Sequence, residues 1–410
     1  MKNPTPPWAR YRQIGLILRR LRAAVLVFCA GVAFARGSEN PNVLWTHGPS
    51  PAPSIFPIAV WLQSPANASR YAAAGINTYV ALWNGPTEEQ LGILKKAGIK
   101  LVCSQNQVGL AHLDDPTIIA WMHGDEPDNA QSLPGGGGYG PPIAPGKIVQ
   151  DYQRIRAADP SRPVMLNLGQ GVAWDGYYGR GVRSNHPEDY PEYMKGGDII
   201  SFDIYPVVHD KPAVAGKLWH VARGVERLVE WGKGEKVIWN CIECTHVGHP
   251  TAKATPHQVK AEIWMSLIHG SQGIIYFVHE WKPRFQEAGL LKDPEMLAAV
   301  TVINRQITRL APVLHQPSVS GQLTVSSAHP EVPVAAMLKR LGPGEGQYIF
   351  AVGMRDGSTA ARFKLEGRHG EESVEVLDEH RTLAAQDGVF DDDFKPWDMH
   401  GYRLGGSAAP

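Results

Sequence analysis

The sequence predicts an α/β protein: a (β/α)8 barrel followed by a small C-terminal β-sandwich. Two observations carry this prediction. Between residues 55 and 315, eight short apolar runs alternate with amphipathic stretches of helical spacing. After about residue 316 the pattern changes to short alternating runs separated by Gly and Asp turns, with no helix of length. The chain has 410 residues, 43% hydrophobic and 20% charged, which is enough to bury a large core and excludes disordered and fibrous classes.

The elements follow in order. Residues 1–35 hold Arg19, Arg20 and Arg22, an apolar run from Ala23 to Phe34, and the small-x-small pattern Ala33-Phe34-Ala35. This reads as a cleavable signal peptide, since a run of about a dozen residues is short for ~30 Å of hydrocarbon; an uncleaved anchor is the alternative. Export, to the periplasm or the medium, is the expectation. Residues 36–54 read as a linker.

The strand candidates are 56–62, 76–83, 99–104, 119–124, 163–168, 198–205, 236–243 and 273–279. Helical stretches at 66–74, 88–97, 146–158, 218–231, 256–269 and 294–312 lie between them. In 218–231 the residues Leu218, Val221, Ala222, Val225, Leu228 and Val229 recur at helical spacing and predict one apolar stripe against a sheet. Gly98 predicts a helix stop directly before a strand. A doubly wound open sheet is the rival fold, but no Gly-rich phosphate turn follows the first strand. The sandwich is expected over 316–410, from runs such as Gln347-Tyr-Ile-Phe-Ala-Val and Ala361-Arg-Phe-Lys-Leu.

Charge and cysteine content narrow the function. The formal net charge is zero, but residues 1–35 carry six basic residues and no acidic one, leaving 34 basic against 40 acidic in the remainder. A mildly acidic body offers no footprint for a phosphate backbone, so no nucleic-acid partner is expected, and no membrane partner once the signal is removed. Oligomeric state is not legible. Cys241 and Cys244 match C-x-x-C within a strand, whereas redox pairs open a helix; with Cys103 they read as small buried hydrophobes.

In a barrel the chemistry belongs at the C-terminal strand ends. There the sequence places Asn106, His123-Gly-Asp-Glu-Pro-Asp128, Asn167, Asp203-Ile-Tyr205, Glu243 and His279-Glu-Trp281. Two carboxylic acids across one mouth are what glycoside cleavage needs, one to protonate the leaving oxygen and one to attack or to activate water. Glu126 is the candidate acid, with helix capping by Asp125-Glu-Pro-Asp128 as the bland alternative. Glu243 is the candidate nucleophile, because an acid closing a strand of Val, Ile and Trp must be partnered or at the mouth; a satisfied ion pair is the alternative.

With Gly124-Asp-Glu-Pro127 ending strand four and Asn240-Cys-Ile-Glu243 ending strand seven, the chain resembles the clan A glycoside hydrolases, retaining (β/α)8 enzymes. The resemblance covers roughly residues 55–315. It implies Glu126 as acid/base, Glu243 as nucleophile, Tyr205 as a hydrogen-bond donor to that nucleophile and Trp281 as the floor beneath the sugar. It also implies a β-linked oligo- or polysaccharide as partner and no cofactor. One position departs: Asp125 stands where the clan has Asn, so a carboxylate replaces a donor to the sugar and raises the pKa of its neighbour by like charge.

Asn106, Asn167, His123 and His246 complete the expected substrate contacts, with Trp61, Trp83, Trp174, Tyr177 and Tyr178 as stacking surfaces. Trp121 and Trp239 fall mid-strand and read as core. The loop 133–142, with four glycines and Tyr139, reads as a lid or a connector. No metal is expected, because Cys244-Thr-His-Val-Gly-His249 matches no diagnostic ligand spacing. A non-catalytic carbohydrate-binding barrel and a metal-dependent hydrolase are the competing functions.

Overall fold

The computed structural model describes residues 45–342 and 344–405. The predicted signal peptide and residues 36–44 of the expected linker lie outside the described residues. Nine parallel strand segments form the first sheet: β1 (Ile58–Trp61), β2 (Thr78–Val80), β3 (Lys100–Cys103), β4 (Ile118–Asp125), β5 (Val164–Leu168), β6 (Ile199–Phe202), β7 (Val237–Ile238), β8 (Asn240–Glu243) and β9 (Ile274–Phe277). Their order is β7-β6-β5-β4-β3-β2-β1-β9-β8. β7 and β8 are one strand interrupted at Trp239, whose N–H still donates to Ile200 O at 2.9 Å. β7 pairs with β6 and β8 with β9, so the sheet closes into eight staves. All eight predicted strands are present, each shorter than its apolar run except β4, which extends one residue beyond the expected 119–124 at either end.

The staves are apolar on both faces, as a parallel sheet covered by helices requires. Ala59, Trp61, Val80, Val102, Met122, Met165, Trp239, Cys241 and Ile275 fill the barrel interior. Their strand neighbours, among them Ile58, Val60, Leu101, Leu166 and Ile242, pack outward under the helices. Trp121 packs outward among that helix-facing set and Trp239 inward, both fully buried. Cys103, Cys241 and Cys244 are buried and unpaired; Cys241 faces the interior and Cys244 the helices.

The helices are α1 (Ala68–Ala73), α2 (Glu88–Ala97), α3 (Gln107–Ala111), α4 (Pro145–Ala158), α5 (Tyr190–Tyr193), α6 (Trp219–Gly232), α7 (Pro256–Ile268) and α8 (Pro294–Leu314). α2 starts on a Thr87/Gln90 capping box and stops at Gly98, which takes φ +69°, a conformation that costs other residues a Cβ clash. In α6, Val221, Ala222, Val225 and Leu228 face the sheet, while Val229 turns toward solvent. α3 and α5 were not expected; at five and four residues they are too short to show a period.

The C-terminal strands are antiparallel: β10 (Leu323–Ser327), β11 (Val334–Arg340), β12 (Gln347–Gly353), β13 (Thr359–Leu365), β14 (Glu371–Val376), β15 (Arg381–Gln386), β16 (Val389–Phe394) and β17 (Met399–Leu404). β15 and β16 join only at Gln386–Val389. The strands therefore form two layers, β10-β13-β16 and β15-β14-β17-β12-β11. Phe363, Phe390, Ile349, Val374 and Tyr402 fill the space between them. Barrel and sandwich pack as one compact unit, with Trp264 of α7 stacked on Phe350 of β12 at 4.9 Å between ring centroids. Among the described residues no helix is long and apolar enough to cross a membrane.

Candidate active site

The longest stave delivers the acids. β4 runs to Asp125, and Glu126 follows with φ +42° directly before Pro127. That backbone is unfavourable for a side chain bearing a Cβ, and a following proline further restricts the residue before it. It is held by Glu126 N–H donating to Asn167 O (3.0 Å) and by Asn129 N–H donating back to Glu126 O (3.1 Å). Strain of this kind persists only where the surroundings over-determine it, and it clusters at functional sites. A side chain at Gly169 would meet Asn129 Oδ1 at 2.6 Å and Glu126 Oε1 at 3.0 Å, so only glycine lets the glutamate lie there.

Asp128 anchors this turn from below. It is fully buried, accepting from Gly169 N–H (2.9 Å) and from the Tyr190 hydroxyl (2.9 Å). The end of β5 supplies the bridge. Asn167 Nδ2 donates to Asp125 Oδ1 at 2.9 Å, while its Oδ1 accepts from Ser201 Oγ at 2.6 Å, which fixes the amide's orientation. The same amide lies beside Asp203, just past the end of β6, and favours its ionised form. Asp203 in turn hydrogen-bonds Glu126.

Three carboxyl groups thus meet at one mouth around the Asn167 amide. Burial and the charges of Asp125 and Asp128 push Asp203 up to about 8. Burial, then Asp203, Asp125 and Asp128, pushes Glu126 well above the usual carboxylate range. Asp125 is also raised by burial, against the opposing hydrogen bond from Asn167. Its surface remains open to solvent although protein surrounds it closely, the signature of a group lining a deep crater. The cluster holds protons at neutral pH, as crowded carboxyls must.

Glu243 is elsewhere. It is 0% exposed and accepts from Val207 N–H (2.6 Å) and Val208 N–H (3.1 Å). Its third partner is the carboxyl of Glu262 on α7. The segment after β6 folds over the strand end and encloses Glu243. The partner it brings to Glu126 is Asp203. Tyr205, expected beside Glu243, packs on Phe277 (5.1 Å between centroids) with its buried hydroxyl unpartnered. It lies near Asp203, Glu126 and Asp125.

Three more expected contacts have structural partners. Asn106 caps α3, accepting from Gly109 N–H (2.8 Å) and donating to Pro86 O (2.8 Å). His123 turns toward α4, its Nε2 3.2 Å from Ile148 O. His246 closes its own loop through Nδ1 on Ala252 O (2.9 Å). Asn167 is buried with its amide committed to the acids.

Aromatic rings line two walls. After β2 and β9, Trp83, Trp281 and Phe285 are 42%, 50% and 48% exposed, a group of large rings left open beside a barrel mouth. Trp281 and Phe285 lie 4.9 Å apart, and His279 stacks beside Trp83 at 6.0 Å. Trp61 is buried in the barrel interior. After β5 and β6, Trp174 meets Tyr177 (6.1 Å) and His209 (5.5 Å), and Tyr178 joins Tyr177 (5.7 Å). The strand order sets these groups on different sides of the closed sheet. The loop after the acids forms a small hairpin through Ser132 and Tyr139, with Tyr139 exposed. Among the described residues no group of three or more His, Cys, Asp or Glu is arranged to hold a metal ion.

No protein-family model and no curated protein matches this chain. Among solved structures, it is similar to the α-amylase from Geobacillus thermoleovorans complexed with acarbose, with 10% identity and a TM-score of 0.51. That likeness covers 86% of this chain and 99% of the amylase. It is similar also to AmyP in complex with maltose, with 9% identity, a TM-score of 0.50, and 87% and 98% of the two chains covered. At such identity the likeness is one of fold: a (β/α)8 barrel with an antiparallel C-terminal sheet. Asp203 was legible as a polar strand end but carried no motif, and its role appears only once β6 is set beside β5 and β4.

Proposed function

We propose that this chain is a glycoside hydrolase whose reacting groups are Asp125, Glu126 and Asp203. The observation that carries the reading is the convergence of three carboxyl groups from two strand ends, with Glu126 paired to Asp203 and Asp125 held by the Asn167 amide. Carboxyls ~5–5.5 Å apart serve a double displacement, whereas ~6.5–9.5 Å leaves room for an inverting water; acids this close-set favour the former.

In this mechanism the Glu126–Asp203 pair holds the catalytic proton and passes it to the glycosidic oxygen as the C–O bond breaks. Asp125, the acid with open surface, is the ionised member and forms the ester with the anomeric carbon. A water then gives its proton to the emptied pair and attacks the same carbon, and the ester oxygen returns to Asp125 as a carboxylate. Exposed rings of Trp83, Trp281 and Phe285 offer faces for the C–H surface of a sugar.

The β-linkage is what the clan A resemblance of the barrel implies. The fold neighbours were solved with acarbose and maltose, so the substrate panel carries α- and β-glycosides alike. The test is aryl-phenol and reducing-sugar release by the parent and by Asp125→Asn. Release by the parent, reduced by about 1,000-fold or more in the variant, is expected for loss of a nucleophile. No release from any member, or equal release by both proteins, overturns the assignment.

A further inference from the structure

We propose that Glu243 is a positioning residue whose carboxylate, paired with the Glu262 carboxyl, clamps the segment after β6 that presents Asp203 and Tyr205 to the mouth. The activity part of this proposal rests on the glycosidase reading; the clamp itself does not.

The geometry is that of a clasp. Residues 203–209 form a strap held at three places. Asp203 N–H donates to Leu168 O at 3.2 Å, Val207 and Val208 N–H donate to the two oxygens of Glu243, and the His209 ring pairs with Gln170 Oε1 at 2.9 Å. The middle tie is a carboxylate receiving two successive main-chain donors, the stronger class of hydrogen bond. Both glutamates are fully buried. Among the described residues the Glu262 carboxyl finds no partner other than Glu243.

Two carboxyl groups in contact in a dry space carry a shared proton, since two adjacent charges would have no counterion there. With Glu243 ionised toward the strap, Glu262 keeps the proton and donates it to Glu243. Burial pushes Glu243 up to about 7 and Glu262 well above its usual range, which is consistent with one retained proton. The other titratable group at this point is the buried thiol of Cys244, which donates to Phe277 O (3.4 Å) and feels Glu243, Asp293, Glu262 and Glu280. The strap itself contributes only main-chain N–H groups to the pair. Raising the pH removes the shared proton and leaves two like charges enclosed. The clasp then opens, and the strap loses its middle tie.

Two measurements decide the proposal. Glu243→Gln keeps an oxygen for one strap amide and a donor for Glu262. It should retain turnover within about 10-fold of the parent, whereas Glu243→Ala should lower kcat about 100-fold with a smaller change in KM, the size expected for misplaced reacting groups. A Glu243→Gln variant as inactive as Glu243→Ala overturns the proposal, because a carboxylate would then be needed for chemistry. The second readout needs no substrate: residue-resolved amide hydrogen exchange, corrected for intrinsic rates. Val207 and Val208 should be protected in the parent at pH 6 and lose that protection at pH 9. In Glu262→Gln, whose amide donates at any pH, they should stay protected at both. Equal behaviour of parent and Glu262→Gln sinks the clamp whatever the substrate panel shows.

Discussion

Replacing Asp203 by Asn should stabilise the protein while removing its activity, and the gain should grow with pH. Asp203 is raised from 3.8 to about 8, chiefly by burial and by the charges of Asp125 and Asp128. A carboxyl of this kind makes the folded protein hold a proton that the unfolded chain releases. Its contribution is therefore full below about pH 4 and is lost progressively as pH rises toward about 8. Between pH 5 and pH 8 the parent forfeits about 1.4 kcal/mol per pH unit, a ceiling of about 4 kcal/mol.

The proton is shared with Glu126 and the crater is open to water at Asp125, so about 2 kcal/mol is the expected differential. Asparagine, which cannot ionise, escapes this loss. The assay is thermal unfolding of parent and Asp203→Asn at pH 5 and pH 8, in which the Tm advantage of the variant should be several degrees larger at pH 8. A constant advantage at both pH values, or a variant less stable at pH 8 than at pH 5 relative to the parent, refutes the idea that Asp203 is held protonated by its neighbours.

Two further outcomes are expected. Trp281→Ala should raise KM about 10-fold with little change in kcat, since loss of one stacking face removes roughly 1–1.5 kcal/mol of ground-state binding; steady-state kinetics on the best substrate of the panel check it, and an unchanged KM removes Trp281 from the sugar site. The basic and apolar pattern of residues 19–35 points to export with cleavage after the Ala33-Phe34-Ala35 signal. N-terminal sequencing of protein recovered from the periplasm or medium checks this, and a mature chain still beginning at Met1 refutes it.

The barrel was legible because each stave is a short run apolar on both faces, a pattern that only a helix-covered parallel sheet demands. The first half of the site was legible for a related reason: Asp125 and Glu126 end the stave that reaches furthest into the mouth. Glu243 shows where strand-end reasoning stops. An acid closing an apolar strand must be partnered or at the mouth, and here it is partnered, by main-chain donors four and five residues beyond Asp203 and by an acid nineteen residues further along the chain. No local spacing encodes such contacts.

Asn106 has a partner close at hand, the Gly109 N–H three residues on, whereas the partner of His123, Ile148 O, lies 25 residues away. A helix N-terminus uses an Asn side chain as readily as a sugar does. Asp203 was overlooked among neighbours of similar composition because its significance lies in three strands meeting, a property of the closed sheet.

Helix α7 carries a consequence for the whole chain. One side presents Glu262 to the strand bearing Glu243, and the other presents Trp264 to Phe350 of the antiparallel sheet. Val259, Ala261, Ile263, Met265, Ser266 and Leu267 are buried as well, so this helix has two interiors and hardly any outside. A barrel cut free of the C-terminal strands would show water a Trp and its apolar neighbours, a surface that invites aggregation. The sandwich is thus an outer wall for the helix behind the seventh stave as much as an appendage. Gene fusions or truncations that treat residue 316 as a seam would divide a shared core, and an intact chain is expected to melt as one body.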